Sequence, residues 1–251
     1  MGTGVTALIQ SSSATTVMTV GLVNAGLLTL KQAVSVVLGA NIGTTFTAWL
    51  VSVIGKFKIS FYALPAIGVG FFMMMFSKRR RLKEIGEIVF GFGVLFLGLE
   101  IMKDAFSPLK KSKQIIDIFA YFSKNPLMGV LVGTFFTVIL QSSSATIAVV
   151  QLLAFNGVIS FDSALPLILG DNIGTTITAQ LGTIGTNVNA KRTAHAHTLF
   201  NVIGVSIMLP FVWSGLYGRL VDFVFPGAIT KTNIMAHLAV AHSLFLSLIH
   251  I

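Results

Sequence analysis

The sequence predicts an all-α, polytopic membrane protein made of two inverted repeats, each with a re-entrant helical hairpin and a discontinuous transmembrane helix. Three observations lead there. First, the 251 residues are 54% hydrophobic and only 10% charged, against about 25% charged in an ordinary soluble domain, and mean hydropathy is +0.88. Second, Gln10-Ser11-Ser12-Ser13-Ala14-Thr15 recurs as Gln141-Ser142-Ser143-Ser144-Ala145-Thr146, 131 residues further on. Third, three apolar crossings lie between the two runs, and an odd number sets the runs on opposite membrane faces.

The same offset carries Gly39-Ala40-Asn41-Ile42-Gly43-Thr44-Thr45 onto Gly170-Asp171-Asn172-Ile173-Gly174-Thr175-Thr176. Between Gly2–Leu50 and Gly133–Leu181, 22 of 49 positions are identical without a gap. The identities fall on Gln, Ser, Thr, Asn and Gly, which shared apolar composition does not produce. Self-similarity at a fixed offset marks an internal duplication.

The elements follow in order. Residues 4–24 are too short for two crossings, since each needs about 20 apolar residues. They are expected to form two half-helices, with the Gln-Ser-Ser-Ser turn at the tip and Asn24-Ala25-Gly26 as the stop. Residues 33–54 are long enough to cross, but Gly39, Asn41 and Gly43-Thr44-Thr45 are expected to interrupt them. Residues 58–77 make a span with Pro65 inside it, 78–84 a basic loop, and 85–107 a span rich in Gly and Phe. In that last span Gly91, Gly93 and Gly98 read as helix-packing positions. The linker 108–125 is the most polar stretch and is expected to hold a short interfacial helix.

The second copy brings a hairpin over 126–157 and a discontinuous span over 163–186. Spans over 193–215 and 232–251 follow. The chain thus divides into a first repeat (1–77) without the leading span of the second, a connecting region (78–125), a second repeat (126–215), and a last loop and span (216–251). Ala196-His197-Thr198-Leu199-Phe200-Asn201 echoes in Ala241-His242-Ser243-Leu244-Phe245, but Leu246 replaces the Asn, so the final span is expected to be truncated or altered.

Net charge is +9, with Lys and Arg concentrated in short loops such as Lys78-Arg79-Arg80-Arg81-Leu82-Lys83. That placement suits topology anchoring and lipid headgroups, not nucleic acid. Basic residues divide almost evenly between the two faces, so charge sets no orientation. Cysteine is absent, which excludes disulfides and thiolate metal sites. Neither copy has the Gly-x-Ser-x-Gly elbow of a serine hydrolase. Four of the five histidines, at 195, 197, 237 and 242, lack the ligand spacing of a metal centre and read as span-end or packing residues. Glu100 and Asp104 sit near a span end and read as interfacial.

In hydrocarbon an unpaired hydroxyl or amide costs several kcal/mol, so the duplicated polar runs must face one another or a wet cavity. Helix N-termini at the hairpin tips offer N–H groups and a positive dipole end to an anion. Asn and Thr oxygens, with unwound carbonyls, suit a small cation. Asp171 stands inside membrane sequence where the first copy has Ala40, and an intramembrane carboxylate is functional by default. No Lys or Arg lies at mid-span to balance an anion. The residues therefore suggest a cation-coupled anion carrier and no enzyme.

Two copies of Gln-Ser-Ser-Ser-Ala-Thr, each followed 31 residues after its Gln by Asn-Ile-Gly-Thr-Thr, resemble the sodium/phosphate cotransporter family. The resemblance implies sodium-driven symport of inorganic phosphate, with sodium ions as coupling ions and no other cofactor. Carried over residue by residue, it implies a phosphate site at Gln10, Ser11, Ser12, Ser13, Gln141, Ser142, Ser143 and Ser144. Sodium would fall to Thr15, Asn41, Thr44, Thr146, Asn172 and Thr175, with Asp171 joining them on the intramembrane-carboxylate argument above. The acidic residue that the electrogenic animal branch carries after its first Asn-Ile-Gly-Thr is absent from Gly55-Lys56-Phe57-Lys58, so no sodium stoichiometry is implied. The expected setting is lipid, in a bacterial inner (plasma) membrane, with homo-oligomerisation left open. Phosphate export, proton-driven oxyanion transport and a phosphate-sensing scaffold stand as alternative readings.

Overall fold

The computed structural model describes residues 1–56, 60–114, 117, 121 and 124–250. All regular structure among the described residues is helical. Each Gln-Ser-Ser-Ser run breaks one helix and starts the next. Helix α1 (Gly2–Ile9) ends where Gln10 takes a left-handed conformation at φ 59°, and α2 (Ser12–Asn24) starts from Ser11, whose Oγ accepts the Ala14 N–H at 3.1 Å. The Asn24-Ala25-Gly26 stop is present: Gly26 sits at φ +73°, and the Leu27 N–H reaches back to the Leu22 carbonyl.

The second copy repeats this geometry. Helices α6 (Pro126–Leu140) and α7 (Ser143–Phe155) flank Gln141 at φ 53°, and Ser142 caps through the Ala145 N–H at 3.2 Å. Serine at an N-cap satisfies one of the orphan donors of the first turn. At about 1.5 Å per residue, no arm of either hairpin reaches across a 30 Å hydrocarbon layer.

The long helix after the first hairpin departs from expectation. Helix α3 (Leu30–Lys56) runs unbroken through Gly39, Asn41 and Gly43-Thr44-Thr45. Its glycines serve close packing, not a break: a Cβ on Gly43 would stand 2.6 Å from Thr6 Cβ and 2.7 Å from the Thr3 carbonyl. Thr44 and Thr45 donate their hydroxyls back to the Ala40 and Ile42 carbonyls of the same helix, at 3.3 and 2.8 Å. Over this stretch α3 therefore offers no unwound carbonyls.

In the second copy the helix does divide, into α8 (Phe161–Gly174) and α9 (Thr176–Leu181), but Thr175 between them stays at φ −57°, ψ −28°. This is a joint with helical dihedrals, and Gly182 follows α9 where the first copy continues with Val51. Gly133 and Gly170 hold α6 against α8 as Gly2 and Gly43 hold α1 against α3. A Cβ on Gly133 would overlap the Leu167 carbonyl, and one on Gly170 the Val130 carbonyl.

Helices α4 (Ser60–Phe76) and α5 (Arg80–Phe106) pair closely through Gly70, Gly86 and Gly93. Gly91 and Gly98 face open space, so of the three glycines read as packing positions only Gly93 acts as one. Helix α5 starts at Arg80, which makes most of the expected basic loop its first turn. In the linker, Ser107–Lys111 form a 3₁₀ turn; the rest of the expected interfacial helix falls partly outside the described residues.

Helices α10 (Val188–Trp213), α11 (Leu216–Val224) and α12 (Ile234–His250) complete the chain. Helices α3, α5 and α10 are each long and apolar enough to cross a membrane. The core gathers around α7 and α8, with Leu152, Leu165, Leu169, Leu238 and Phe245 buried together. Outside it, large apolar side chains stand bare, Leu8 at 87%, Phe61 at 79% and Phe223 at 84% exposure. Hydrocarbon, not water, suits that surface. This is an all-helical membrane protein.

Candidate functional site

The two hairpin tips meet. Ser12 and Ser143, the first residues of α2 and α7, are 3% and 6% exposed, and their hydroxyl oxygens lie 3.5 Å apart. Each is the residue after an N-cap, where the backbone N–H has no helical carbonyl to reach. Two positive dipole ends thus face one another across a pair of hydroxyls, an arrangement that negative charge relieves. Of the eight expected phosphate residues, Ser11 and Ser142 commit their oxygens to capping, while Ser12 and Ser143 come into direct contact.

Gln10 and Ser144 are joined through a residue that sequence reading passed over. Thr47 on α3 donates its hydroxyl to Gln10 Oε1 at 2.8 Å and lies 3.2 Å from Ser144 Oγ, which in turn donates to the Gln10 carbonyl at 3.3 Å. Repeat symmetry would place Gln141, Thr178 and Ser13 in the same bridge. They are not. The side chains of Gln141 and Ser13 make no hydrogen bond among the described residues, and Thr178 donates to the Thr175 carbonyl of its own helix at 2.9 Å. One copy is bridged to the opposite hairpin and the other is open.

Behind each tip lies a threonine pair. Thr6 donates to Thr15 Oγ1 at 3.0 Å, and Thr137 lies 3.0 Å from Thr146 Oγ1. The second pair is richer in oxygen, because the Thr137 hydroxyl also stands 2.9 Å from Asp171 Oδ1 and 2.9 Å from the Gly133 carbonyl. That hydroxyl has one proton to share among three acceptors. Asp171 is fully buried, and its second oxygen, Oδ2, has no partner among the described residues. Acceptors outnumber protons here, and a cation would satisfy the surplus.

The remaining expected cation ligands lie on α3 and at the α8–α9 joint, and among the described residues none bonds directly to the opposite hairpin. Asn172 donates to the Ile168 carbonyl at 2.7 Å, and Thr175 to the Asp171 carbonyl at 2.9 Å. Asn41 instead meets α10: its Oδ1 lies 2.9 Å from His197 Nε2, and its amide donates to Asn201 Oδ1 at 3.4 Å. His197 is 1% exposed, so reading it as a packing residue missed a polar contact. Gln151, also missed, donates to the Ala48 and Met235 carbonyls at 3.0 and 2.8 Å and ties α7 to α3 and α12. Identity between the copies would have pointed to Thr6/Thr137 and to Thr47/Thr178, and the Ala-His-x-Leu-Phe echo at 196–200 and 241–245 to His197; nothing comparable marks Gln151. The expected interfacial acid Glu100 pairs with Lys103 at 2.9 Å.

Comparison with known proteins identifies the family. The profile of the Na+/Pi-cotransporter family matches residues 1–104 and 109–225. YqeW of Bacillus subtilis (strain 168), whose name states no function, is 35% identical over 207 residues, covering 82% of this chain and 66% of its own. YjbB of Escherichia coli (strain K12), provisionally named an inorganic phosphate export protein, is 35% identical over 211 residues, covering 84% of this chain and 38% of its own. Sodium-dependent phosphate transport protein 2A of Rattus norvegicus is 33% identical over 132 residues, covering 49% of this chain and 21% of its own. The chain spans less than two thirds of the length of each of these relatives. No solved structure matches it. With a duplicated hairpin core and a family profile matched across most of its length, the chain belongs to the Na+/Pi-cotransporter family.

Proposed function

We propose that the chain is a secondary active transporter that carries inorganic phosphate together with sodium across a bacterial inner membrane. The observation that carries this reading is the 3.5 Å meeting of Ser12 and Ser143 at two opposed helix N-termini. Hydroxyls that close can contact one small anion at about 2.7–3.2 Å each, with the N–H groups of Ser12, Ser13, Ser143 and Ser144 adding donors. A dry site without Lys or Arg needs cations to balance phosphate, and the Asp171, Thr137 and Thr146 oxygens supply hard ligands for sodium. Thr15, Asn41, Thr44, Asn172 and Thr175 complete the proposed cation set. The activity makes and breaks no covalent bond.

The hairpins are read as re-entrant and inverted. Their arms are too short to cross, and α3, α4 and α5 lie between them; α3 and α5 are long enough to span, and α4 (Ser60–Phe76), shorter over its described residues, is read as the third crossing. An odd number of crossings brings the second tip in from the other face, so that the tips meet near mid-bilayer between the two halves. Radiolabelled phosphate uptake into proteoliposomes, with and without a sodium gradient, tests the assignment. Sodium-dependent accumulation is expected; uptake driven by a proton gradient alone, or none with either, refutes sodium symport. The provisional name of YjbB favours export as a second reading. The same site serves it, with direction set by the gradients.

A further inference from the structure

We infer that His197 and Asn201 of α10 are positioning residues that fix the amide of Asn41 as a sodium ligand. The inference rests on the sodium reading above. It starts from a circuit whose polarity is set by one backbone carbonyl. Asn201 Nδ2 donates to the His197 carbonyl at 2.9 Å, which can only accept, so Asn201 Oδ1 is turned outward as an acceptor. Asn41 Nδ2 donates to that oxygen at 3.4 Å. Asn41 therefore presents Oδ1 to His197 Nε2 at 2.9 Å, and because an amide oxygen only accepts, Nε2 must carry the ring proton. The Asn41 amide can sit one way round only, and its oxygen keeps a second lone pair for a ligand.

The circuit is dry and anchored. Asn41, His197 and Asn201 are 5%, 1% and 1% exposed. Helix α10 is tied to the first hairpin at its start, where the Asn187 N–H donates to Asn24 Oδ1 at 2.8 Å and Asn187 Nδ2 to the Asn24 carbonyl at 3.1 Å. Ala190 packs beside Val20, Val23 and Ala33 one turn later. The second copy has no such clamp: Asn172 is held by its own helix at the Ile168 carbonyl. A helix of the second half thus sets the orientation of a ligand in the first half. An outer partner that orients a ligand oxygen typically changes cation affinity by about ten-fold or more when it is removed.

Sodium activation of phosphate uptake in proteoliposomes tests this, with melting temperature in sodium against choline as a binding readout independent of transport. His197→Ala should raise the half-activating sodium concentration about ten-fold, while phosphate KM at saturating sodium stays within about two-fold. His197→Gln, whose amide can donate from a similar place, should restore most of the loss. The double variant His197→Ala/Asn41→Ala should be no worse than Asn41→Ala alone. Parallel loss of phosphate affinity, no rescue by Gln, or additive losses overturn the role. Ring ¹⁵N spectra should show the proton on Nε2 of His197; a proton on Nδ1 overturns the circuit whatever the transport data say. If the wild type shows no sodium response in either assay, the sodium reading itself fails and takes this role with it.

Discussion

Asp171→Asn separates structural cost from sodium binding, because the ionised carboxylate is placed where a bound cation would satisfy it. The side chain is fully buried, and among the described residues it has one donor, Thr137, at 2.9 Å and Oδ2 has no partner. A hydrogen bond to a charged group contributes about 1.5–3 kcal/mol, whereas burying an unpaired charge costs several kcal/mol. Without sodium the ionised carboxylate therefore runs a deficit on the order of 1–3 kcal/mol. Asparagine is nearly isosteric and brings two protons into a cluster short of them, so it should recover that deficit. The variant should melt higher than the wild type in choline chloride and lose the sodium-specific stabilisation, which for the wild type at a hundred times Kd is about 2.7 kcal/mol. Thermal unfolding in detergent, with sodium titrated against choline at constant ionic strength, reads both. A variant that keeps the full sodium response, or is less stable than the wild type without sodium, refutes the cation assignment of Asp171.

Three further outcomes follow from the geometry. Thr47→Val removes the hydroxyl between Gln10 and Ser144 and should slow uptake more than Thr178→Val, whose hydroxyl bonds only its own helix; equal effects in side-by-side uptake assays contradict the asymmetry. Gly133→Ala drives a methyl into the Leu167 carbonyl and should cost more than about 3 kcal/mol, whereas Gly91→Ala meets open space and should be neutral in melting temperature. Single cysteines introduced as Lys31→Cys, in the first turn of α3 just beyond the first hairpin, and Ser160→Cys, at the N-cap of α8 just beyond the second, should react with an impermeant maleimide from opposite membrane faces; labelling from one face refutes the inversion.

Much of this fold is written in local residue choices. The Gln-Ser-Ser-Ser turns and the Asn24-Ala25-Gly26 stop are legible because left-handed backbone and N-caps select particular residues over two or three positions. The duplication exposed the paired tips, since a copied polar run in apolar sequence has to meet something polar. The unbroken α3 was not legible: glycine in a helix marks either a break or a close approach, and only the position of α1 decides between them. The Asn41–His197 contact spans 156 residues, and no local pattern announces it. The one-sided Gln10–Thr47–Ser144 bridge is invisible for a different reason. Both copies carry the same residues, so the difference lies in packing and not in composition.

The central claim is that two hairpin tips converge on one anion with sodium beside it. With no native cysteine in the chain, the pair Ser12→Cys and Ser143→Cys can be cross-linked by a short bifunctional reagent in native membranes. The 3.5 Å separation of the native hydroxyls predicts rapid cross-linking, strongly slowed by phosphate and sodium together and little by phosphate with choline. Failure to cross-link would contradict the meeting of the tips; cross-linking indifferent to phosphate and sodium would contradict their role as the anion site.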